Sequence, residues 1–388
     1  MMHVRIAAAA VAALALAAPA ARAQSVLSAR GLGYPLEALD ARSRGLGGIT
    51  TGLGEAHLSL INPAAMVGIP AAGLSVTFEG DEVQSVSPDR DQTFSTARFP
   101  AIQAAFPVGD RLVASLGYAS VLDQNWSVSR LDSLDLGGQR RQVVDLFRSS
   151  GGAARLRLGA GYRLLPRVDV GAAVDVYTGA VRDSAVRSIE GLNASFQGTD
   201  YTWSGVGFSA GARWRGNALS VSAAVSGGGE LTAEADSVAG QGYSLPLTLD
   251  AGASGRLSQQ LLAAISVRMA QWSSVDDELG GGTGSAGYGA GARDALQVAG
   301  GIEYEGLRLL GRPLPVRLGG RYAELPFRWS ADAEFPDERA VTGGLGILFG
   351  GGAAALELSG ERGWRGGDAS VFDESYWRAS LSLSLLGR

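Results

Sequence analysis

Apolar and polar residues alternate along most of the chain from residue 72 to the carboxyl terminus. In the segment 168–176, VDVGAAVDV, the valines fall on one face of an extended chain and both aspartates on the other. The segment 377–385, WRASLSLSL, places a tryptophan, an alanine and three leucines opposite an arginine and three serines. Successive side chains of a strand point to opposite faces, so each segment predicts a strand with one apolar and one polar face.

Short turns and long polar loops alternate between these segments. The turns lie near 107–111, 163–167, 215–218, 256–260, 306–314 and 350–352, and the loops near 80–95, 121–151, 181–200, 227–243, 273–293, 325–338 and 362–374. This wiring is typical of outer-membrane barrels, in which the turns face the periplasm and the loops face outside. We therefore predict an all-β fold, a transmembrane antiparallel β-barrel of about fourteen strands, although twelve or sixteen strands also fit the sequence.

The first 23 residues have the composition of a secretory signal peptide. A basic start precedes the apolar run 6–18, and Ala-Arg-Ala at 21–23 has the form of a cleavage site. No later apolar run has the ~20 residues of a spanning helix, so membrane insertion requires strands. We expect an exported protein of the bacterial outer membrane, in contact with lipid and lipopolysaccharide. An exported β-sandwich is the alternative fold.

Composition excludes several kinds of chemistry. The chain has no cysteine, so it has no disulfide or thiolate site, and its two histidines, His3 and His57, are too few for a multi-histidine metal centre. His3 belongs to the predicted leader, which leaves His57 alone as a candidate catalytic base. The net charge of −5 gives no basic surface for nucleic acid. We predict no enzyme, no cofactor, no metal site and no nucleic-acid partner.

The two faces of the predicted strands have different roles in a barrel. The apolar face contacts lipid, and aromatic residues near the strand ends are expected to form girdles at the membrane interfaces. These aromatic residues are Tyr162, Tyr177, Trp203, Trp214, Trp272, Tyr322 and Trp377. The polar face points into the lumen, where charges of both signs are expected to pair with each other. The predicted luminal network is Arg155, Arg157, Asp169, Asp175, Arg268, Glu303, Arg317, Arg321 and Glu357.

Residues 24–71 lack the two-residue period and form a Gly-rich and then apolar segment. A fourteen-stranded barrel has a lumen that its own side chains leave partly unfilled. We therefore divide the chain into a signal peptide (1–23), an N-terminal plug (24–71) and a barrel (72–388). Pro63 fixes φ, and Asn62 is expected to cap a short helical turn after it. The plug or gate candidates are Gly45, Gly47, Gly48, Asn62, Pro63 and Ala64.

The run Arg44-Gly45-Leu46-Gly47-Gly48, followed by Glu55 and by Asn62-Pro63-Ala64, resembles the start of the FadL-type outer-membrane transporters of long-chain fatty acids. Barrel components of the type IX secretion system are similar to that family. The resemblance implies a fourteen-stranded barrel with an N-terminal hatch and a hydrophobic ligand. It covers about residues 41–70. The carboxyl terminus departs from the family, because it ends in Leu-Gly-Arg rather than an aromatic residue.

Two further features bear on ligand entry. The stretch 140–147, RRQVVDLF, predicts a short amphipathic helix in the longest loop, where an apolar ligand or the barrel mouth would meet Val143, Val144, Leu146 and Phe147. Glycines that interrupt strands mark either a kinked opening in the wall or close packing against the plug. These glycines are Gly117, Gly171, Gly205 and Gly207.

The function that this sequence predicts is passive uptake of small hydrophobic molecules, either fatty acids or aromatic hydrocarbons, through a plugged barrel. Two alternatives stay open. One is a barrel that transports nothing and acts as a docking or secretion partner, and the other is a general porin. We expect a monomer that requires the outer-membrane barrel assembly machinery for insertion.

Overall fold

The computed structural model describes residues 25–87, 90–235, 238–280, 291–329, 333–366 and 373–387. The predicted signal peptide therefore lies outside the described residues. None of the helices in these ranges is long and apolar enough to cross a membrane. The helical elements are short. Two are α-helices, α1 (Ala41–Gly45) and α2 (Asp276–Gly280), and the 3-10 helices are Val26–Ala29, Pro63–Met66, Trp272–Val275 and Gly350–Gly352.

Fourteen antiparallel strands form a closed barrel, which confirms the predicted fold and strand count. They are β1 (Gly73–Ser87), β2 (Arg90–Val108), β3 (Leu112–Asp123), β4 (Gln139–Leu165), β5 (Val168–Ile189), β6 (Ser195–Arg215), β7 (Leu219–Gly227), β8 (Thr248–Arg256), β9 (Leu261–Ala270), β10 (Ala295–Tyr304), β11 (Val316–Glu324), β12 (Asp337–Phe349), β13 (Ala354–Gly366) and β14 (Asp373–Leu386). The first and last strands close the barrel in a register that pairs Gly73 with Leu386 and Val86 with Asp373.

The strand faces separate as the alternation predicts. Leucine, valine and isoleucine side chains such as Leu158, Val174 and Ile265 are exposed on the outer surface. Their neighbours in sequence, such as Arg157 and Asp175, are buried in the lumen. Because the outer face is apolar and the inner face is charged, the barrel suits a lipid exterior and a polar interior.

The loops are more regular than the sequence predicts. Strand Trp126–Leu136 pairs with β4, and the hairpin formed by Glu230–Ala235 and Val238–Ser244 pairs with β6. β4, β5 and β6 have 27, 22 and 21 residues, about twice the ~9–11 residues that span a membrane. A sheet therefore extends beyond the membrane on the loop side.

The helix predicted over 140–147 is wrong, because these residues belong to β4. Strand pairing on both sides explains the difference, since Val144 pairs with Leu131 on one neighbouring strand and with Ser188 on the other. The four apolar residues also lie on both faces of the sheet. Val143 is buried and Phe147 half-buried on the inner face, whereas Val144 is exposed and Leu146 half-buried on the outer face. They do not form one apolar surface.

Candidate functional site: the luminal segment and the cavity at the barrel mouth

The N-terminal segment, residues 25–71, begins at the loop end of the barrel. The Ser25 hydroxyl donates to Glu374 at 2.7 Å, and the Tyr34 hydroxyl donates to Glu338 at 2.6 Å. Both carboxylates stand near the loop ends of their strands. Tyr34 also pairs with Asp123 at the loop end of β3. The segment therefore starts at the barrel mouth and not at the turn side, where β1 begins.

Helix α1 carries the segment into the lumen. The Asp40 carboxylate accepts a hydrogen bond from Ser43 N at 2.7 Å, which caps the helix start. Ala41 N donates to the Ser382 hydroxyl of β14 at 2.7 Å. Gly45 lies against β12, where an added Cβ would stand 3.2 Å from Gly344 Cα. The helix thus contacts β12 and β14 on the inner wall.

Glycines let the next residues approach the wall. Gly47 has a φ of +92°, a conformation that favours glycine, and an added Cβ there would stand 2.5 Å from Gly320 O. Gly301 and Gly319 pair across β10 and β11, and Leu46 lies against both. Because neither glycine has a side chain, the pair leaves room on the inner wall for the backbone of the segment.

Asn62, fully buried, fastens the segment to the opposite wall. Its Oδ1 accepts from Ala64 N at 2.9 Å and caps the 3-10 helix Pro63–Met66, as the sequence predicts. Its Nδ2 lies 3.1 to 3.3 Å from three acceptors, which are Thr51 Oγ1, Ala212 O on β6 and Ala223 O on β7. One amide therefore joins two parts of the segment to two strands.

A row of three glycines lies under this turn. Gly161, Gly171 and Gly211 are in register across β4, β5 and β6. A Cβ on Gly171 would stand 2.7 Å from the Pro63 carbonyl carbon and 2.8 Å from Ala64 N. Gly171 thus packs against the segment rather than marking an opening, and Gly117 does so against Leu60. Gly205 and Gly207 do not, since their neighbours are Glu230 O, the Tyr177 ring and Gly228 O.

Two wall arginines bind the backbone of residues 55–67. Arg157 forms an ion pair with Asp175 at 2.7 Å and donates to Leu60 O at 2.5 Å. Arg213 pairs with Asp169 at 2.8 Å. It also donates to three main-chain carbonyls, those of Glu55, Ala65 and Val67, at 2.9, 2.9 and 2.6 Å. The acids neutralise the buried guanidinium groups, whose remaining N–H groups bind the segment.

Residues 37–44 meet the other side of the wall through charged side chains. Glu37 lies between Arg44 at 3.1 Å and Arg268 at 3.3 Å. Arg44 also pairs with Glu79 of β1 at 3.2 Å, and Arg42 pairs with Glu303 of β10 at 2.6 Å. The Glu37–Arg44 pair lies within the segment, whereas each of the other pairs joins the segment to the wall.

The structure places the nine predicted luminal charges on the inner wall, in separate clusters. Arg155, Arg157 and Asp175 lie together, and Arg155 Nη1 is 4.0 Å from the Asp175 carboxylate. Asp169 instead meets Arg213 and Arg215. The other predicted charges also meet groups of opposite charge. Arg317 pairs with Glu303 and Glu357, Arg268 pairs with Asp250, and Arg321 pairs with Glu338 and Glu361.

Sequence reasoning missed several luminal partners. They are Glu79, Asp81, Arg98, Arg213, Asp250, Glu338, Arg365, Glu374 and Arg378. The two-residue period could have found Arg365, which shares the parity of the predicted Glu357 on β13, but it fails for Arg98, because a bulge shifts the register of β2 next to it. Arg213 is two residues from Gly211 and shares the inner face of β6 with Ser209. The partners of each charge across strands, however, depend on register.

The prediction of an interface girdle is wrong for three of the aromatic residues. Tyr162, Trp214 and Trp377 are exposed on the outer face, but Tyr177, Trp203 and Trp272 are buried. Their parity gives the reason. Tyr177 shares the inner face of β5 with Asp175, and Trp203 shares that of β6 with Arg213. Tyr322 is half-buried, and its hydroxyl donates to Asp337 at 2.8 Å.

These buried aromatic residues form an apolar cluster inside the mouth. The cluster is Leu32, Leu122, Ala153, Tyr177, Val181, Trp203, Leu231, Ala270, Trp272, Val275, Leu279 and Phe327. Trp203 Nε1 donates to Gln124 Oε1 at 2.9 Å, so its polar atom is satisfied. The cluster covers the lumen with apolar groups on the loop side.

A cavity of about 180 Å³ lies between this cluster and the charged clusters. Its apolar lining includes Leu32, Leu36, Leu122, Tyr177 and Trp272. Its charged lining is Glu37, Arg44, Arg155, Arg268, Arg321, Glu324, Glu338 and Arg378. The cavity is therefore amphipathic, with five arginines and three glutamates among its lining residues. Asn62, Pro63 and Ala64 do not line it.

One group of carboxylates in the described ranges is close enough to hold a metal ion, namely Glu55, Glu303 and Glu305. Arginines already neutralise it. Arg42 pairs with Glu55 at 2.9 Å and with Glu303 at 2.6 Å, and another arginine pairs with Glu305 at 2.9 Å. Burial lowers the pKa of the nearby His57, so its imidazole is neutral at neutral pH. These contacts favour an ion-pair cluster over a metal site.

Comparison with solved structures agrees with this architecture. The chain is similar to a Pseudomonas aeruginosa FadL homologue, with 13% identity and a TM-score of 0.61 over 91% of this chain and 99% of that one. It is also similar to the CymD monoaromatic hydrocarbon channel, with 17% identity and a TM-score of 0.58 over 90% and 97% of the chains. The Ralstonia pickettii toluene transporter TbuX gives 16% identity and a TM-score of 0.58 over 91% and 99%. The FadL-type fold that the sequence predicts is confirmed.

No curated protein matches the chain. A protein-family model does match, and it is described as BamG. The match covers residues 1–234 of 388, which is more than half of the sequence and includes the N-terminal segment and the strands that hold Asn62. The chain therefore belongs to the BamG family.

Proposed function

We propose that this protein is exported by its signal peptide to the bacterial outer membrane, where it mediates passive uptake of small hydrophobic molecules. The observation that carries the proposal is the amphipathic cavity at the barrel mouth. Lipopolysaccharide resists apolar solutes, and a polar pore does not favour them. An apolar cavity inside a barrel provides a site where such a solute leaves water.

The size of the cavity limits the ligand. An engineered apolar cavity of ~150 Å³ binds benzene, so about 180 Å³ accommodates one aromatic ring or a short length of acyl chain. The similar structures include a monoaromatic hydrocarbon channel, a toluene transporter and a FadL homologue. A ligand of one ring or one chain is therefore consistent with the cavity and with the barrels that resemble this one.

The charged side of the cavity favours a carboxylate over a neutral hydrocarbon. Arg155 Nε and Arg321 Nη1 are buried and have no hydrogen-bond acceptor among the described residues. Both arginines line the cavity. A buried N–H without a partner is costly, and a ligand carboxylate would supply the acceptor. We therefore favour fatty acids or aromatic acids, with the apolar part of the ligand against Leu122 and Trp272.

The contacts suggest which part of the N-terminal segment moves. Leu32 and residues 34–38 line the cavity, whereas residues 55–67 contribute only Ile61 to its described lining and lie against the wall under Arg157 and Arg213. We assign the gate to residues 25–44 and a permanent seat to Asn62, Pro63 and Ala64. The glycines Gly45, Gly47 and Gly48 join the two parts and let the segment follow the wall.

Uptake of a labelled fatty acid by cells tests this function. Ala270→Phe places a ring in the cavity, because Ala270 lines it and is buried. Ala251→Phe adds the same group to the exposed outer face of β8 and is the matched control. We expect the first variant to reduce uptake to the level of a deletion strain and the second to keep it. Equal uptake by the deletion strain and the wild type would overturn the proposal.

The BamG family match supports a second candidate function, association with the outer-membrane barrel assembly machinery. Cross-linking followed by purification in mild detergent tests it. A stoichiometric complex that Ala270→Phe leaves intact, together with unchanged fatty-acid uptake in the deletion strain, would favour a docking role. A general porin would instead conduct ions in a planar bilayer, and the buried ion pairs and the N-terminal segment in the lumen predict little conductance.

A further inference from the structure

The chain between β10 and β11 forms a small hairpin that differs from the other turns. Arg308–Leu309 pairs with Arg312–Pro313, and Leu314 N donates to Leu307 O at 2.9 Å at its base. Leu310 stands at the tip and is 94% exposed, with a φ of +50°. The two-residue turn of this hairpin has a positive φ at both Leu310 and Gly311, as a type I′ turn requires, and Asn, Asp or Gly adopts this conformation with less strain than leucine. The hairpin therefore explains the conformation of the tip but not the choice of an exposed leucine there.

The hairpin lies against the outer surface of the barrel. The Arg312 guanidinium stands 4.6 Å from the ring centre of Phe349, the last residue of β12. Leu318 and Leu345, also on the outer face of β11 and β12, are exposed. The exposed leucines of the hairpin, Leu307 and Leu309, thus continue the apolar outer band of the barrel toward its turn end.

The turn end of the barrel is basic. The segments that connect strands on this side, together with the strand residues that flank them, carry six arginines, Arg111, Arg167, Arg215, Arg256, Arg308 and Arg312, and two acids, Asp110 and Glu305. Arg215 pairs with Asp169, and Arg256 pairs with Glu305. Arg308 and Arg312 flank the leucine tip and are exposed. An apolar tip between two cations matches the boundary of an anionic lipid leaflet, where arginine binds phosphate and leucine enters the acyl region.

We propose that the hairpin 307–314 is an anchor for anionic phospholipid of the leaflet on the turn side, with Leu310 inserted below the headgroups and Arg308 and Arg312 on their phosphates. The proposal rests on the proposed membrane location of the barrel. It adds a specific lipid contact at one point of the rim, and it assigns a role to the strained leucine.

The absence of cysteine makes a direct test possible, because a single introduced cysteine carries the only label. An environment-sensitive fluorophore is attached to Leu310→Cys, Leu318→Cys or Ser258→Cys, and each protein is reconstituted into vesicles with spin-labelled lipid. Leu318 on the outer face of β11 reports whether the barrel is in the bilayer, and Ser258 in the exposed β8–β9 turn is the water reference. We expect lipid quenching at Leu318 and Leu310 and none at Ser258.

The lipid preference is the ratio of Leu310-label quenching by spin-labelled phosphatidylglycerol to that by spin-labelled phosphatidylcholine, compared between the parent protein and Arg308→Gln/Arg312→Gln. We expect each arginine to contribute roughly fivefold to this ratio at low salt. Quenching at Leu318 without quenching at Leu310 would overturn the anchor and leave the membrane location intact. No quenching at Leu318 would overturn the membrane location itself. A Leu310 label that only an added acidic protein shields would assign the tip to a protein partner and overturn the lipid proposal.

Discussion

Residues 55–67 and residues 34–44 belong to the same N-terminal segment, but the barrel wall holds them by different groups. Arg157 and Arg213 bind main-chain carbonyls of the first region, and a row of glycines fits its backbone. The second region contributes side chains, through Tyr34, Glu37 and Arg44, and lies beside the cavity. A charged ligand in the cavity does not compete for the main-chain carbonyl contacts, whereas it can compete for the ion pairs beside the cavity.

The comparison therefore supports the proposed division of the segment into a seat and a gate. Moving residues 55–67 would leave buried arginines and an asparagine amide without acceptors, which is costly for the whole barrel. Residues 34–44 exchange one charged partner for another at smaller cost, and a ligand carboxylate can supply such a partner. Four substitutions test this separation, from the largest expected effect to the smallest.

Arg157→Met is expected to have the largest effect on stability. The substitution leaves the buried Asp175 with the more distant Arg155 as its cation and the Ser209 hydroxyl as a donor. It also removes one of the two arginine donors to Leu60 O. Loss of one partner of a buried pair costs about 3–5 kcal/mol of unfolding free energy. Urea unfolding in detergent, followed by heat-modifiable gel mobility, measures the change.

The matched control for Arg157→Met is Arg182→Met, which removes an exposed ion pair with Asp200 on the extended sheet. Exposed pairs contribute little to stability because water screens them. If both variants unfold at the same urea concentration, the seat does not depend on Arg157 and the comparison fails at its strongest contact.

Gly171→Ala tests the close approach of Pro63 and Ala64 to the wall. The new methyl group would stand within 2.8 Å of segment backbone atoms, so the segment or the wall has to shift. Overpacking of this kind costs about 1–3 kcal/mol. Gly360→Ala on β13 is the control, because its methyl group would meet no atom within 4 Å. Equal stability of the two variants would place the seat elsewhere.

Asn62→Ala removes the cap on Pro63–Met66 and the amide contacts with β6 and β7. The acceptors left behind are two main-chain carbonyls within the sheet and the Thr51 hydroxyl, which keeps its hydrogen bond with Ser222, so we expect a loss of about 1–2 kcal/mol. Hydrogen exchange of residues 55–67 should increase while that of β13 stays unchanged. Slow exchange at residues 55–67 in the variant would show that Asn62 does not hold the turn.

Glu37→Gln is expected to change stability least and ligand binding most. It removes one negative charge beside Arg44, Arg268 and Arg321 and so makes the cavity more basic. A single screened charge of this kind contributes about 1 kcal/mol, or roughly fivefold in affinity for a carboxylate ligand. Titration of the purified protein with a fatty acid and with its methyl ester checks this. A gain for the ester equal to that for the acid would contradict the carboxylate site.

Much of the barrel follows from the sequence because the strand period is a local property. The valines of 168–176 and the serines of 377–385 fix which face of each strand meets the lumen. Glycines mark several of the turns where strands reverse, such as Gly109 and Gly216. Strict use of the same parity would also have placed Tyr177 and Trp203 in the lumen, as the structure does. The girdle prediction for these two residues is wrong because nearness to a strand end does not decide which face of the strand a side chain occupies.

The sequence did not reveal the extended sheet or the path of the N-terminal segment. Residues 140–147 carry a mixed pattern, and only their pairing with 128–135 and 185–189 makes them a strand. Which acid each luminal arginine meets depends on the register of neighbouring strands. The Asn62 amide contacts β6 and β7, about 150 residues away in sequence, so no local pattern predicts them.

By itself the sequence determined the alternation, the turns and the presence of an apolar, Gly-rich segment before the first strand, and it indicated about fourteen strands. These are local choices, since the backbone period and the turn residues need no distant partner. Only the tertiary structure decided that this segment starts at the barrel mouth, follows the inner wall and separates a seat at Asn62 from a cavity beside Glu37. Closure of the barrel brings distant strands to one lumen, and the pairing of buried charges there depends on all of them together.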